Sequence, residues 1–277
     1  MKTITPSTHK SAFSLLEMAI VLIVIALIAG SVVAGKSLVH TAKLREALGE
    51  YDRYLKAIQE FQDKYIYLPG DFNNAESYWG ADSDGCPAGT VGSSPQRETC
   101  NGNGSGTIGS ISDTEDGTIG TEYMEPLRMW QHLANAGLIE GFFSGTDGSA
   151  ASSGQHAVLA ENVPESALTG AGWYLRFHAQ TADSDTLWGD NYGHLMFLGG
   201  TISENATTDP VMYTADLLGI DTKMDDGKPG RGKIRAWRTH ADANNENCTE
   251  NDTTQDAATY KTSYTDIACS AIFITGF

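Results

Sequence analysis

The sequence predicts an α+β protein: a long N-terminal helix, transmembrane in its first half, packed on a globular head with an antiparallel β-sheet. Three observations predict it. A single long apolar run lies near the N-terminus. An amphipathic pattern at three- and four-residue steps follows it without a break. Short alternating segments then appear among glycine-rich loops, as in an antiparallel sheet.

The first element is the apolar run. Met1 to Ala12 is polar, with Lys2, His9 and Lys10 and no acid. Phe13 to Gly35 carries one charge, Glu17. At about 1.5 Å per residue this run makes roughly 35 Å of helix, enough to cross a bilayer. A secretory signal would have a shorter apolar stretch with its cleavage site after it. Here the candidate site, Ala12, precedes the stretch, so cleavage would remove the basic leader and keep the helix. The leader lysines favour a cytoplasmic N-terminus, with the C-terminal bulk outside.

Glu17 is the informative residue. A carboxylate inside a membrane helix costs a few kcal/mol on insertion scales, so it needs a partner. Cleavage between Ala12 and Phe13 would supply one, the new α-amino group of Phe13. In a filament, that amine would equally serve Glu17 of a neighbouring subunit and reward axial registry. The other reading places Glu17 near the interface, solvated.

The helical pattern continues past Lys36. Leu44, Leu48, Tyr51, Leu55, Ile58, Phe61 and Tyr65 form one apolar face, with Glu46, Glu50, Arg53, Lys56, Glu60 and Lys64 on the others. One helix of roughly 80 Å therefore runs from about Phe13 to Tyr65, and Pro69-Gly70-Asp71 ends it. One boundary is drawn, at about Gly35. This gives a leader over 1–12, a membrane or filament-core helix over 13–35, and a continuation and head over 36–277.

From about Gly80 to Gly120 the composition is that of a long loop. It contains a G-x-G-x-x-G string at Gly104, Gly106 and Gly109. The string follows no strand and opens no helix, so it reads as loop composition and not as a dinucleotide site. Glu122–Leu138 reads as a helix with Pro126 in its first turn. Trp173–Ala179, His194–Leu198, Ile234–Trp237 and Ala271–Thr275 read as strands. Asp209-Pro210 and the following residues read as a capped helix ending at Gly219.

The net charge of −17 disfavours direct binding to nucleic acid or anionic lipid by the whole surface. The four cysteines, Cys86, Cys100, Cys248 and Cys269, form no C-x-x-C pair, which weakens zinc and thioredoxin-like readings. They allow three connectivities. If the head is exported, local pairing of Cys86–Cys100 and Cys248–Cys269 is preferred, each worth roughly 3 kcal/mol in the chain-entropy model. Four free thiols are the alternative. Catalysis finds little support: the seven histidines are scattered, and H-E-x-x-H, G-x-S-x-G and Walker patterns are absent. His178 and His194 lie on candidate strands and could meet. Trp173, Tyr174, Phe177, Trp188 and Tyr192 read as sheet core or as a glycan groove.

Ala12-Phe13-Ser14-Leu15-Leu16-Glu17-Met18 followed by an apolar helix resembles the class III signal of type IV pilins and type II secretion pseudopilins. The resemblance covers about Lys10 to Tyr65. It departs from the usual pattern in having Ala12 where Gly is common, and Ala34 where many members have Pro. It implies a prepilin peptidase that cuts after Ala12 and methylates the Phe13 amine. It further implies insertion as a single-pass inner-membrane protein with a periplasmic head. An inner-membrane assembly machine would then build it, through Glu17, into a periplasmic or extracellular filament of like subunits.

Two further stretches carry the resemblance into the head. Asp221, Asp225 and Asp226 crowd one short acidic stretch, similar in position to loops of type II secretion pseudopilins that bind calcium. The spacing is not that of an EF-hand, and a plain Asp-Gly turn paired with Lys223, Lys228 or Arg231 is the other reading. The span between Cys248 and Cys269 resembles the disulfide-bounded region of type IVa pilins, which contributes to subunit contacts or adhesion; simple stapling of the C-terminus is the alternative. Three functions follow as expectations: a pilus subunit, a pseudopilin, and a membrane-anchored binding protein that never polymerises.

Overall fold

The computed structural model describes residues 15–82, 97–109, 124–146, 156–178, 192–202, 206–237, 247–250 and 254–277. Leu15–Tyr65 forms one helix, α1, with Glu17 in its first turn and Lys64 in its last. The chain divides into two compact units, Met1–Arg45 and Glu46–Phe277. In the first unit the large apolar side chains from Leu15 to Val32, and Leu38 and Val39, are exposed. Among the described residues this is the one helix long and apolar enough to cross a membrane.

The second unit is α+β. After the remainder of α1 come α2 (Ala75–Trp79) and α3 (Glu125–Asn135), then strands β1 (Gly172–His178), β2 (Gly193–Thr201), β3 (Thr207–Asp209) and β4 (Met212–Tyr213). They are followed by α4 (Thr214–Met224), β5 (Ile234–Ala236), β6 (Thr249–Glu250), β7 (Thr259–Tyr260), β8 (Ile267–Cys269) and β9 (Ala271–Ile274). The main sheet runs in the order β1-β2-β9-β5, with β3 added on β2. Every one of these pairings is antiparallel. Two short ribbons, β4-β8 and β6-β7, stand beside it.

The core forms where the helical stripe meets one face of the sheet. Strand alternation puts Trp173 on the α1 side, where it packs on Tyr51 and Tyr54. Tyr51 also meets Phe273 of β9, ring centroids 4.6 Å apart. Tyr54 meets Trp130 of α3 edge to face at 5.1 Å. Further along α1, Ile58 and Phe61 are fully buried. Aromatic pairs of this geometry each add about 1 kcal/mol beyond their burial.

Glu50 departs from the expected polar face. It is buried, at 6 % exposure, and accepts hydrogen bonds from Ser166 Oγ (2.7 Å), Ala167 N (2.9 Å) and Trp173 Nε1 (2.9 Å). A carboxylate taking three donors can be buried without a cation. This side chain therefore ties α1 to the chain leading into β1.

Other elements lie near their expected positions, with one shift. The helix expected after Asp209-Pro210 begins later, at Thr214, and runs through Gly219 to Met224. Met212 and Tyr213 are instead taken by strand pairing with Cys269 and Ile267. Sheet pairing has overridden a local capping signal.

Candidate functional site

At the N-terminal end, Ala12 and Phe13 lie outside the described residues. Glu17 sits in the first turn of α1. Its neighbours Met18, Ile20 and Val21 are exposed. Among the described residues nothing covers the apolar side chains here, and an apolar medium or other molecules would bury them.

The acidic stretch is brought together. Carboxylate oxygens of Asp221, Asp225 and Asp226 lie within 4.8 Å of one another. Asp221 is inside α4, not in a turn, and is buried. Its Oδ2 accepts from Tyr260 Oη at 2.7 Å and its Oδ1 from Gly227 N at 3.1 Å. Burial pushes its carboxyl up to about 6, against those two hydrogen bonds and with the charges of Asp226 and Asp225 adding to the rise. The same burial raises the Tyr260 hydroxyl. Asp225 Oδ2 accepts from the backbone N–H groups of Lys233 and Ile234. Gly232 is needed there, since a Cβ would collide with that carboxylate. Asp226 Oδ1 accepts from Lys228 N at 2.9 Å, an Asp-Gly turn contact. Arg231 pairs with Asp256. Three clustered oxygens suit a hard cation such as calcium, while the contacts just named are those of a closed turn.

Tyr260 links this cluster to the C-terminal staple. Cys248 and Cys269 are disulfide-bonded, both buried. Lys261 N donates to Cys248 O at 3.0 Å, and Cys269 continues the β4-β8 ribbon. Cys100 is also disulfide-bonded and buried; Cys86 lies outside the described residues.

The aromatic and histidine candidates resolve differently. Trp173 and Tyr174 are core, Tyr192 is buried, and Trp188 lies outside the described residues. His178 and His194 do not meet. His194 pairs with Phe177 and His178 with Gly193, so alternation places the two imidazoles on opposite faces. His194 instead receives Ile108 N on Nε2 at 3.1 Å.

Sequence reasoning missed a polar assembly under α3. His132 is fully buried, and its Nδ1 accepts from Gly70 N at 2.9 Å. That leaves the proton on Nε2, which faces Thr99 Oγ1 at 3.0 Å. Burial and the nearby Arg128 hold the imidazole down at about 3. Arg128 donates to Asp82 Oδ2 and to Gln131 Oε1, each at 3.0 Å. Gln131 and Asn135 donate to the carbonyls of Glu98 and Arg97. Spacing along α3 hints at this, because Arg128, Gln131, His132 and Asn135 share one face.

The G-x-G-x-x-G loop is the second surprise. Backbone N–H groups of Ser105 and Gly106 point at the Asp71 carboxylate, at 2.8 and 2.7 Å. Those of Asn103 and Gly109 point at Glu125, at 3.0 and 2.8 Å. The glycines are required: Gly104, Gly106 and Gly109 all have positive φ. A Cβ on Gly102 would strike the backbone of Gly70 and Asp71. The loop thus cradles the protein's own carboxylates. Asp71 is nonetheless raised above the ordinary carboxylate range, because burial outweighs those hydrogen bonds.

With this geometry in hand, comparison with protein-family models, with characterised proteins and with solved structures returned no match.

Proposed function

We propose that the chain is a structural subunit, major or minor, of a type IV pilus-like filament. Its leader is removed after Ala12 by a prepilin peptidase, Phe13 is methylated, and the apolar part of α1 serves first as a single-pass inner-membrane anchor and then as filament core. The head stands in the periplasm and afterwards on the filament surface. The partners are other subunits of the same kind, the peptidase and an inner-membrane assembly machine. The carrying observation is an apolar run, Phe13 to Gly35, whose one acid, Glu17, follows a small residue and Phe at the resembling spacing. Two features of the head support the reading. The amphipathic half of α1 packs on one face of an antiparallel sheet through Tyr51, Tyr54 and Glu50. A disulfide bounds the C-terminal segment at Cys248 and Cys269.

A second reading, a pseudopilin of a type II secretion system, is favoured by one observation, the gathering of Asp221, Asp225 and Asp226. The two readings share subunit physics and differ in machine.

Intact-mass measurement of the protein from its native membrane tests the proposal. The expected species begins at Phe13, the 265 residues left of 277 after twelve are removed, plus one methyl group. A mature protein retaining the residues before Phe13 would overturn it.

A further inference from the structure

Two Asn-Gly pairs, Asn101-Gly102 and Asn103-Gly104, stand side by side in one loop. An asparagine followed by glycine is able to close on itself. The glycine nitrogen attacks the side-chain amide carbon, and no Cβ on the glycine obstructs the approach. The two pairs share this chemistry and differ in surroundings, so the fold decides which one reacts.

At Asn103 the groups that this reaction needs are in place. The attacking nitrogen must lose a proton, and the Gly104 N–H donates to the Asp71 carboxylate. The carbonyl under attack must carry developing negative charge, and Asn103 Oδ1 accepts from Ser105 N at 2.8 Å. The leaving nitrogen must gain a proton. The same Ser105 N–H donates to Asp71 Oδ1 at 2.8 Å, which sets the Asn103 amide and the Asp71 carboxylate side by side. Asp71 is 1 % exposed, and burial raises its carboxyl, which makes it a stronger base than a solvated aspartate. Asn103 itself is exposed, so ammonia has a way out and water a way in.

Asn101, two residues away, lacks this arrangement. Gly102 N donates to the Phe72 carbonyl at 2.9 Å, which is no base. Asn101 Oδ1 accepts from Glu76 N at 3.0 Å, and the Glu76 carboxylate holds Asn101 N instead of Gly102 N. Asn101 is half-buried, and Gly102 is buried against the backbone of Gly70 and Asp71. The neighbouring pair is therefore an internal control for the same sequence in the same loop.

We propose that Asn103-Gly104 is a self-modifying site, where Asp71 acts as base and the Ser105 N–H as oxyanion donor in converting Asn103 to aspartate and isoaspartate. Asp71 takes the Gly104 proton as that nitrogen bonds to Asn103 Cγ. The Cγ–Nδ2 bond then breaks, Asp71 returns the proton, and ammonia leaves. One water opens the resulting succinimide ring. Opening at Cγ gives aspartate, and opening at the main-chain carbonyl gives isoaspartate. The net change is ammonia out and water in, with no oxidant or reductant. Either product puts a second carboxylate beside Asp71. Isoaspartate also lengthens the backbone between Asn103 N, which holds Glu125, and Ser105 N, which holds Asp71. The site does not depend on the filament reading.

The test follows full-length protein in detergent at neutral pH by peptide mass spectrometry, with fragment ions assigning each converted asparagine. In the folded protein Asn103 is expected to convert at least about tenfold faster than Asn101, a modest share of what a positioned base supplies. In urea strong enough to unfold the head, the two rates are expected to become alike and Asn103 to slow. Asp71→Asn, shown to be folded by near-UV circular dichroism, is expected to lose the advantage of Asn103. Where that variant does not fold, the folded and unfolded wild type decide alone. The proposal is overturned if Asn103 in the folded protein does not outpace Asn101, or if unfolding speeds its conversion. It is equally overturned if folded Asp71→Asn converts Asn103 at the wild-type rate.

Discussion

Two of the glutamates of helix α1, Glu17 and Glu50, set its two regions apart. Glu50 lies in the head, where Ser166, Ala167 and Trp173 each donate to it. Glu17 lies in the first turn, in a stretch where Met18, Ile20 and Val21 face outward. Around Glu50 the chain completes its own environment: apolar neighbours are buried and the acid receives donors from segments more than a hundred residues away. Around Glu17 the apolar surface is left for something else to cover. Among the described residues, the head buries its apolar stripe and the first unit leaves its own exposed. The same residue type does structural work in one place and, on the proposed function, assembly work in the other.

Replacing each acid should therefore have opposite signatures. Glu17→Ala should abolish filament formation, seen as loss of sheared filaments by electron microscopy, while urea unfolding of the head stays unchanged. Normal filaments from this variant would break the comparison, because an acid with no assembly role would then be tolerated in a membrane helix. Glu50→Ala should do the reverse to stability. It strands the buried Trp173 Nε1 donor and removes three charge-assisted bonds, so the head should lose about 3 kcal/mol in urea unfolding. Glu50→Gln should recover part of that, since an amide oxygen still accepts.

Titration sharpens the contrast, because the head holds buried ionisable groups. His132 is held at about 3 and His178 at about 4, in both cases chiefly by burial. Their unfolded values lie near 6.5. Below that value the unfolded chain binds more protons, so stability falls as pH drops from about 6.5 towards the folded values. Each imidazole contributes a slope of up to about 1.4 kcal/mol per pH unit. Asp221 works the other way. Its folded value of about 6 lies above its unfolded 3.8, so it removes stability as pH rises through that window. On acidification the lowered imidazoles of His132, His178 and His194 oppose the raised carboxyls of Asp221 and Asp71, and the urea midpoint should drop. Asp221→Asn should steepen the drop. A midpoint that stays flat from pH 7 to 5 would contradict the buried neutral histidines.

How much of this the sequence discloses depends on whether the relevant neighbours are local. The stripe Tyr51, Ile58, Phe61 is visible because helical spacing alone defines a face, and Trp173 or Phe273 as strand residues are visible from alternation. Glu50 is not, since an acid in a helix reads as solvated until Ser166 and Trp173 are known to reach it. The start of α4 lies beyond its local signal: Asp209-Pro210 is a sound capping pair, and only the distant β8 shows that Met212 and Tyr213 are strand. Gly104, Gly106 and Gly109 were legible as loop, but nothing near them in sequence announces Asp71 and Glu125. Spacing gathered Asp221, Asp225 and Asp226 correctly as neighbours while missing that Asp221 is helical and bonded to Tyr260.

The smallest expected effect lies where α1 ends. Ile66 follows the last helical residue, donates its N–H to Gln62 O at 2.8 Å, and has φ of +67°. A β-branched side chain in the left-handed region is disfavoured by about 1–2 kcal/mol, and helices commonly place glycine at this position. Ile66 is 85 % exposed, so burial within the head returns little of that cost. Ile66→Gly should therefore stabilise the head, by about 1 kcal/mol once the greater chain entropy of glycine is subtracted. The sign is the informative part. Stabilisation would mean that the left-handed backbone costs the head more than the Ile66 side chain returns to it. A loss of stability in urea unfolding would mean that Ile66 already contributes to the head, and the line between self-completed and outward-facing regions would have to be redrawn beyond it.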